Sequence, residues 1–460
     1  LFLNGNNIDV IQPNTFNYLV GLTYLNLNQN KIVLIGDYAF ANLMKLESLI
    51  ITDNNLEFIA DKAISNLVNL KNLDLNKNQL RSISNVPINS FKLLKSLDLS
   101  ENPFDDLNLV FKSIESTSTS IGCISRKNGF ELSLSKLNII KSIESISFGC
   151  FNNLEALRLD RNQLSWIEQT KTISIHLIDL VNLKHFELVN LEMRSFRTFD
   201  LISNPKVRIE TLKISYHSIE SIDFVEFKGL SGLKQLILNL NKITSIENVI
   251  IEGINNLESL SLSGNRLTSI KHVRFSGIPN LKSLDLSSNP IDTLTDSRFE
   301  GVEKLEMLIL YMCKIKSLEQ VNFVGINNLV QLNFWFNPID PKSRRFAFKG
   351  VEKLEMLDLS HIHLQSAENL EFVGIEHLKS LDLSHNDFMH ENQVIHLKGL
   401  NKLKSLTLKR TLMALRSVNL TFINLSETLE HLSLRENVFE SLDRIELNGV
   451  DNLKYIDLTE

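Results

Sequence analysis

Long apolar runs are missing from this 460-residue chain. No stretch of about 18 or more apolar residues occurs, so no membrane-spanning helix is expected. No secretory leader is visible. The chain opens on Leu1-Phe2-Leu3 without an initiator Met, already in a strand pattern, and stops at Glu460 in another. Both ends are therefore expected to be cuts in a longer protein. Cysteine is scarce, at three residues, and that number leaves the redox compartment open. A block of one charge sign is absent too. The net charge of -6 is spread along the chain, which argues against the basic stripe of a general nucleic-acid binder. Catalytic signatures are lacking: there is no phosphate-binding glycine loop, G-x-S-x-G elbow, H-E-x-x-H or C-x-x-C. Histidines gather between His361 and His390 with Asp382 and Ser384. Neighbours along a strand point to opposite faces, however, so no triad follows. Neither a cofactor nor an enzymatic activity is expected.

What the chain has is a repeat. A single core stops growing near roughly 250–300 residues, so a chain this long is several domains or an array. Hydrophobic residues at 43% and charged residues at 22% are ordinary for a folded protein. The frame L-x-x-L-x-L-x-x-N-x-L recurs, as at Leu22 to Ile32, Leu70 to Leu80, Leu281 to Ile291 and Leu378 to Phe388. Opening leucines fall at 22, 46, 70 and 94 and resume from 209 to 453, mostly 24 residues apart, for about 19 repeats. The x-L-x-L core alternates with period two and predicts a short strand with one buried face. One repeat cannot bury its own face, so the strands are expected to stack into a parallel sheet over a continuous leucine core.

The Asn after each strand is expected to satisfy backbone groups where the chain turns inward. It stands at Asn6, Asn30, Asn54, Asn78, Asn102, Asn162, Asn241, Asn265, Asn289, Asn337, Asn386 and Asn437. Cys313 replaces it once, and Leu137, Leu191, His217, Ile362 and Thr411 break the series. Six residues before the opening leucine stand Phe16, Phe40, Phe148, Phe227, Phe275, Phe299, Phe323, Phe348 and Phe372, predicting an aromatic spine under the convex side.

The 24-residue unit L-x-x-L-x-L-x-x-N-x-I-x-x-I-x-x-x-x-F-x-x-L-x-x, shown well by Leu22 to Lys45, resembles the "typical" leucine-rich-repeat class. The plant-kinase Ile-Pro and the alternating 28/29 unit of the ribonuclease-inhibitor type are missing. The resemblance implies an α/β leucine-rich-repeat solenoid, a curved horseshoe over residues 1–460. Its concave face would be a parallel sheet, and its convex side irregular or short helical segments. It also implies an extracellular or cell-surface setting, as in Toll-like receptor ectodomains, chaoptin-like adhesion proteins, Slit-like ligands and matrix proteoglycans. The partner would be a protein or a microbial product, with a homodimer or heterodimer possible. The leading reading is a receptor's ligand-recognition ectodomain. An adhesion or matrix protein is the alternative, and an intracellular scaffold a third.

Regular blocks at 1–104 and 209–460 flank irregular repeats at 105–208, where the spacing runs 35, 25, 29 and 26. A polar run within 111–128 reads as an inserted loop, either a contact or processing element or a tolerated insertion. Cys123 and Cys150 sit at near-equivalent positions of adjacent repeats. Such positions are about 5 Å apart, within disulfide reach. Cys313 reads as a buried thiol. Asn419-Leu420-Thr421 and Asn424-Leu425-Ser426 are glycosylation sequons, if the protein is secreted.

The outward x positions of the frame are mostly polar. Two repeats depart, with Met307, Ile309, Tyr311 and Met312, then Gln331, Asn333, Trp335 and Phe336, and the next adds Met356. Strand neighbours lie about 4.8 Å apart, so these side chains should be contiguous, as a binding hot spot requires. The competing reading is a face covered by a neighbouring segment, or an apolar patch that is simply tolerated. Asp358 and Asp382 hold one strand position in adjacent repeats, His361 and His385 another, and Lys409, Arg410 and Arg435 follow. The histidines would make binding pH-dependent, but two ligands are too few for a metal site. Asp74 and Asp98 form a second acidic pair, read as a solvated face.

Overall fold

Period-two alternation makes the leucine frame a strand, and stacking makes the strands a sheet. The computed structural model describes residues 1–83, 85–87, 91, 93–104, 130–133, 154–158, 172–177, 183–189, 193, 195–203, 208–388, 392–411, 418–423, 425, 427–437 and 445–459. They fall into two units, Leu1–Ser218 with Val225–Leu233, and Ile219–Phe224 with Lys234–Glu460. Each unit is a parallel-sheet solenoid. The first unit's front sheet runs through Tyr24–Asn26, Ser48–Ile50, Asn72–Asp74, Ser96–Asp98, Phe130–Ser133, Leu154–Arg158, His185–Val189 and Thr211–Ser215. The second unit's front sheet runs through Gln235–Ile237, Ser259–Ser261, Ser283–Asp285, Met307–Ile309, Gln331–Asn333, Met356–Asp358, Ser380–Asp382, Ser405–Thr407, His431–Ser433 and Tyr455–Asp457. Equivalent positions face each other, as Leu284, Leu308 and Leu332 do. These three leucines are fully buried, each contributing roughly 1.5–3 kcal/mol.

The chain then makes one left-handed residue. Gln29, Asp53, Lys77 and Glu101 in the first unit have φ of 53–56°, and so, at 50–56°, do Leu240, Ser288, Met312, Phe336, His361, His385, Arg410 and Glu436 in the second. For an L residue this costs about 1–2 kcal/mol. What offsets it is a hydrogen bond to the next turn. Met312 N–H donates to Trp335 O at 2.9 Å, His361 N–H to Ser384 O at 2.9 Å, and His385 N–H to Lys409 O at 2.7 Å.

The ladder Asn follows, buried. Asn289 Nδ2 donates to Leu286 O (2.9 Å) and Ser287 O (3.1 Å) in its own turn and to Leu262 O (3.0 Å) in the preceding one. Its Oδ1 accepts the N–H of Leu267 at 3.0 Å. Asn78, Asn102, Asn265 and Asn386 make the same four-bond set. Two residues expected to break the ladder keep part of it. His217 Nε2 meets Leu188 O at 3.0 Å, and Thr411 Oγ1 donates to Leu408 O at 2.7 Å. Burial pushes the His217 imidazole down to about 4, so the ring is neutral there. Ile362 has no polar atom, and the Ile339 N–H in the turn before it donates to Asn337 O instead. The Cys313 thiol makes long contacts of 3.7 Å to Leu286 O and Tyr311 O. Asn162, Leu137 and Leu191 lie outside the described residues, as do the residues through which the expected repeat count runs.

The short helical segments expected behind the sheet need correcting. Among the described residues there is no helix. A second set of parallel strands takes their place. In the second unit it runs Val249–Glu252, His272–Ser276, Ser297–Glu300, Val321–Val324, Arg345–Lys349, Leu370–Val373, Asn392–Lys398, Val418–Ile423 and Ile445–Asn448. In the first, Val10–Ile11, Leu34–Ile35 and Phe58–Ile59 pair, and so do Thr172–Leu177 and Thr198–Ser203. The reason is alternation. Val273 and Phe275, Val321 and Phe323, Phe346 and Phe348, and Leu370 and Phe372 are buried, while the residue between each pair is not. Phe227, Phe275, Phe299, Phe323, Phe348 and Phe372 of the spine are thus each half of a strand pair, whereas Phe16 and Phe40 lie in turns and Phe148 is outside the described residues. The rings do stack from turn to turn, Phe16 on Phe40 at 5.6 Å and Phe299 against Phe323 at 5.8 Å. This back ladder is staggered by two residues per turn, so Val273 faces Phe299 and Val321 faces Phe348. Where a glycine ends a back strand of the second unit the backbones approach closely. A Cβ on Gly350 (φ 82°) would lie 1.7 Å from Phe323 O.

Two outcomes follow for thermal melts monitored by circular dichroism. Cys313→Asn supplies an oxygen acceptor where a thiol is a poor one, and is expected to stabilise the chain by about 1 kcal/mol. Gly350→Ala is expected to destabilise it by more than Gly5→Ala, whose φ is also positive at 70° but whose Cβ would meet nothing within 4 Å.

Candidate functional site

The ladder holds the backbone, and that frees the two residues before each ladder position to vary. Down the second unit these pairs read Ser287-Ser288, Tyr311-Met312, Trp335-Phe336, Ser360-His361, Ser384-His385, Lys409-Arg410 and Arg435-Glu436. Because every second member is left-handed and bonded to the next turn, its side chain stands beside its equivalents.

The rings touch in sequence. Tyr311 and Trp335 lie 5.5 Å apart between centroids, and Trp335 and Phe336 5.6 Å apart. His361 packs edge-on against Trp335 at 5.8 Å and tilted against Phe336 at 5.6 Å. His361 then stacks on His385, 4.1 Å apart and 12° from parallel. Such contacts contribute about 0.5–1.5 kcal/mol beyond burial. Met312, Phe336 and Met356 are 45%, 47% and 41% exposed, so the cluster has an open apolar surface. Met307 and Ile309 are half-buried beside it, on the strands that pair with Gln331 and Asn333.

Asn333 and Asp358 stand in the same cluster, but their polar atoms are already bonded. Asn333 Oδ1 accepts the Trp335 N–H at 2.9 Å, and its Nδ2 donates to Asp358 Oδ2 at 2.8 Å. Asp358 Oδ1 accepts the N–H and hydroxyl of Ser360. These two side chains hold the turn that carries Trp335. His385 belongs to the cluster through its stack. Its signal in the sequence was its equivalence to His361, one repeat on.

Burial is the largest cause lowering the pKa of both histidines. For His361 the charges of His363 and Arg410 add to it, and for His385 those of His361, Arg410 and Lys409. The neutral pair is the folded form. Its stability is therefore present above the ordinary His pKa and lost as pH falls below it. Asp382, paired in register with Asp358, is pushed up, chiefly by burial.

The acidic pair of the first unit is less solvated than its sequence implied. Asp74 and Asp98 face each other in register, and burial, helped by the charge of Asp98, pushes Asp74 up to about 6. Asp74 Oδ1 accepts the Asn76 N–H at 3.1 Å.

Cys123, Cys150, the 111–128 loop and Asn424 lie outside the described residues. Asn419 is in the back strand Val418–Ile423, paired with Asn392. Among the described residues no group of three or more side chains is placed to hold a metal.

A family model described as Leucine rich repeat matches residues 1–55, 44–104, 207–267, 255–315, 279–339 and 343–388. No curated protein matches the chain. Among solved structures, it is similar to the mouse RP105/MD-1 complex, with a TM-score of 0.50 and 18% identity over 96% of this chain and 90% of that one. It is also similar to a leucine-rich-repeat protein of Leptospira interrogans (TM-score 0.40, 19% identity, 97% and 95% covered). An internalin of Listeria monocytogenes matches with a TM-score of 0.36 and 22% identity over 78% and 86%. At 18% identity the likeness to the mouse structure is one of fold alone.

Asp74→Asn tests the burial of the acidic pair. A folded-state pKa of about 6 against the ordinary 3.8 means that the folded chain holds this proton more tightly. Stability is then lost as pH rises through that interval. The amide keeps an oxygen for the Asn76 N–H. The substitution is expected to raise the melting temperature at pH 7.5, by up to about 3 kcal/mol of stability, and to change little at pH 4.

Proposed function

Because the chain belongs to the leucine-rich-repeat family, we propose that it is a ligand-recognition module and that the aromatic cluster of its front face is the recognition site. The carrying observation is the unbroken chain of ring contacts Tyr311–Trp335–Phe336–His361–His385, open to solvent at Met312, Phe336 and Met356. Exposed aromatic clusters fixed by rigid backbone are what binding hot spots are made of, because little side-chain entropy is lost on contact. Binding through a scaffold, and not catalysis, is the work such a face does.

The finer reading is an extracellular or cell-surface receptor ectodomain, Toll-like in kind, that takes a protein or a microbial product. The repeat class supports it. The matched mouse structure is itself a complex, RP105/MD-1. In that setting Asn419 and Asn424 are candidate glycan sites, and Cys123 with Cys150 a candidate bridge.

The test is a screen of the purified chain against a panel of extracellular proteins and microbial products, run beside a Trp335→Ala/Phe336→Ala double variant. A ligand of this site is expected to lose more than about 2 kcal/mol of binding, with the melting curve of the variant still cooperative. Ligands that bind both forms equally would remove the aromatic cluster as the recognition site.

A further inference from the structure

The proposed recognition face changes character along its length, and this inference rests on that proposal. One turn beyond the stacked histidines the row becomes cationic, with Lys409 and Arg410, then Arg435. These cations are not equivalent. Lys409 Nζ is held by Glu436 at 2.7 Å, and Arg435 Nε lies 3.9 Å from the same carboxylate. Arg410 is exposed, left-handed at φ 50°, and has no ion pair among the described residues. Its backbone N–H is bonded to Arg435 O at 3.1 Å, so the residue is fixed at its base and open at its guanidinium. A fixed, unpaired guanidinium beside an apolar cluster is a carboxylate receptor.

Spacing sets the shape of what fits. Phe336, His361, His385 and Arg410 are equivalent residues of successive turns, each about 4.8 Å from the next, so the apolar and cationic ends are about 14 Å apart. An extended peptide covers that in about four residues. Charge sets its class. Asp358 and Asp382 lie on the strands beside the histidines, and Glu436 occupies the next turn. A polyanion such as a nucleic acid would meet these carboxylates and, among the described residues of this stretch, find Arg410 as the one cation outside an ion pair.

We propose that the partner presents an acidic protein segment, with an apolar or aromatic side chain seated on Trp335 and Phe336 and a carboxylate, about four residues away, held by Arg410. The histidine pair between the two contacts then reports occupancy. The charged and titratable groups that act on it are Asp358, Asp387, His363, Lys409, Arg410 and Glu436. Arg410 disfavours the protonated imidazoles, and an anion bound to Arg410 cancels part of that effect. Binding takes up protons, so affinity rises as pH falls.

The experiment uses labelled, end-blocked Gly/Ser peptides carrying one Trp and one Glu at spacings of two to six residues, with Gln twins. Each is titrated onto the chain by fluorescence anisotropy. At a spacing near four, the Glu peptide is expected to bind about tenfold more tightly than its Gln twin. Arg410→Gln is expected to abolish that preference and leave the affinity of the Gln twin unchanged. The preference should also widen between pH 7.5 and pH 6. Equal binding of Glu and Gln peptides that Trp335→Ala abolishes overturns this proposal and leaves the aromatic site standing. Binding that Arg410→Gln abolishes and Trp335→Ala leaves untouched overturns both. Failure of every peptide to saturate overturns the proposal, as does an Arg410-dependent preference for single-stranded RNA or phosphatidylserine vesicles.

Discussion

The described turns bring backbone N–H and C=O groups inward, away from water, where an unpaired group costs about 1–3 kcal/mol. The buried Asn after each front strand answers that cost. With three donated contacts and one accepted, Asn289, like Asn78, Asn102, Asn265 and Asn386, ties its turn to the one before it. The leucines supply most of the burial energy but specify little, since any apolar side chain of similar size fills a core. The amide specifies the turn. Where it is replaced, at His217 and Thr411, a different polar atom reaches a carbonyl of the same or the preceding turn. At Ile362 the backbone closes on itself instead.

That constraint has a consequence at the surface. The residue before the ladder position must be left-handed so that its N–H reaches the next turn, whatever side chain it carries. Met312, Phe336, His361, His385 and Arg410 all accept this cost. The backbone is therefore rigid and repeated, and the side-chain chemistry is free. A row of such positions is a preorganised contact line, because its members have little left to lose on binding. Phe336, His361 and His385 occupy one stretch of the line, and Arg410 and then Glu436 the next.

The opposite side obeys a second constraint, close packing between successive back strands. Their two-residue stagger puts the inner branched residue of one turn against the phenylalanine of the next, as with Val321 and Phe348. At Gly350 only a residue without a Cβ can follow, since a side chain there would collide with Phe323 O.

Much of this was legible in the residues. The leucine and asparagine positions specify the front strands and the ladder, because both depend on interactions between equivalent positions one turn apart. The aromatic departure at Tyr311, Trp335 and Phe336 was legible for the same reason. Other features depend on contacts that no repeat frame encodes. The back ladder was hidden because one apolar pair per turn is too short to separate strand from helix, and only the neighbouring turn decides. The stacking of His361 on His385, the engagement of Asn333 and Asp358 in their own turn, and the partial burial that pushes Asp74 up to about 6 arise likewise. The sequence determined which residues recur and at what period. Tertiary structure decided which of them touch, because contact here runs across the stack and not along the chain.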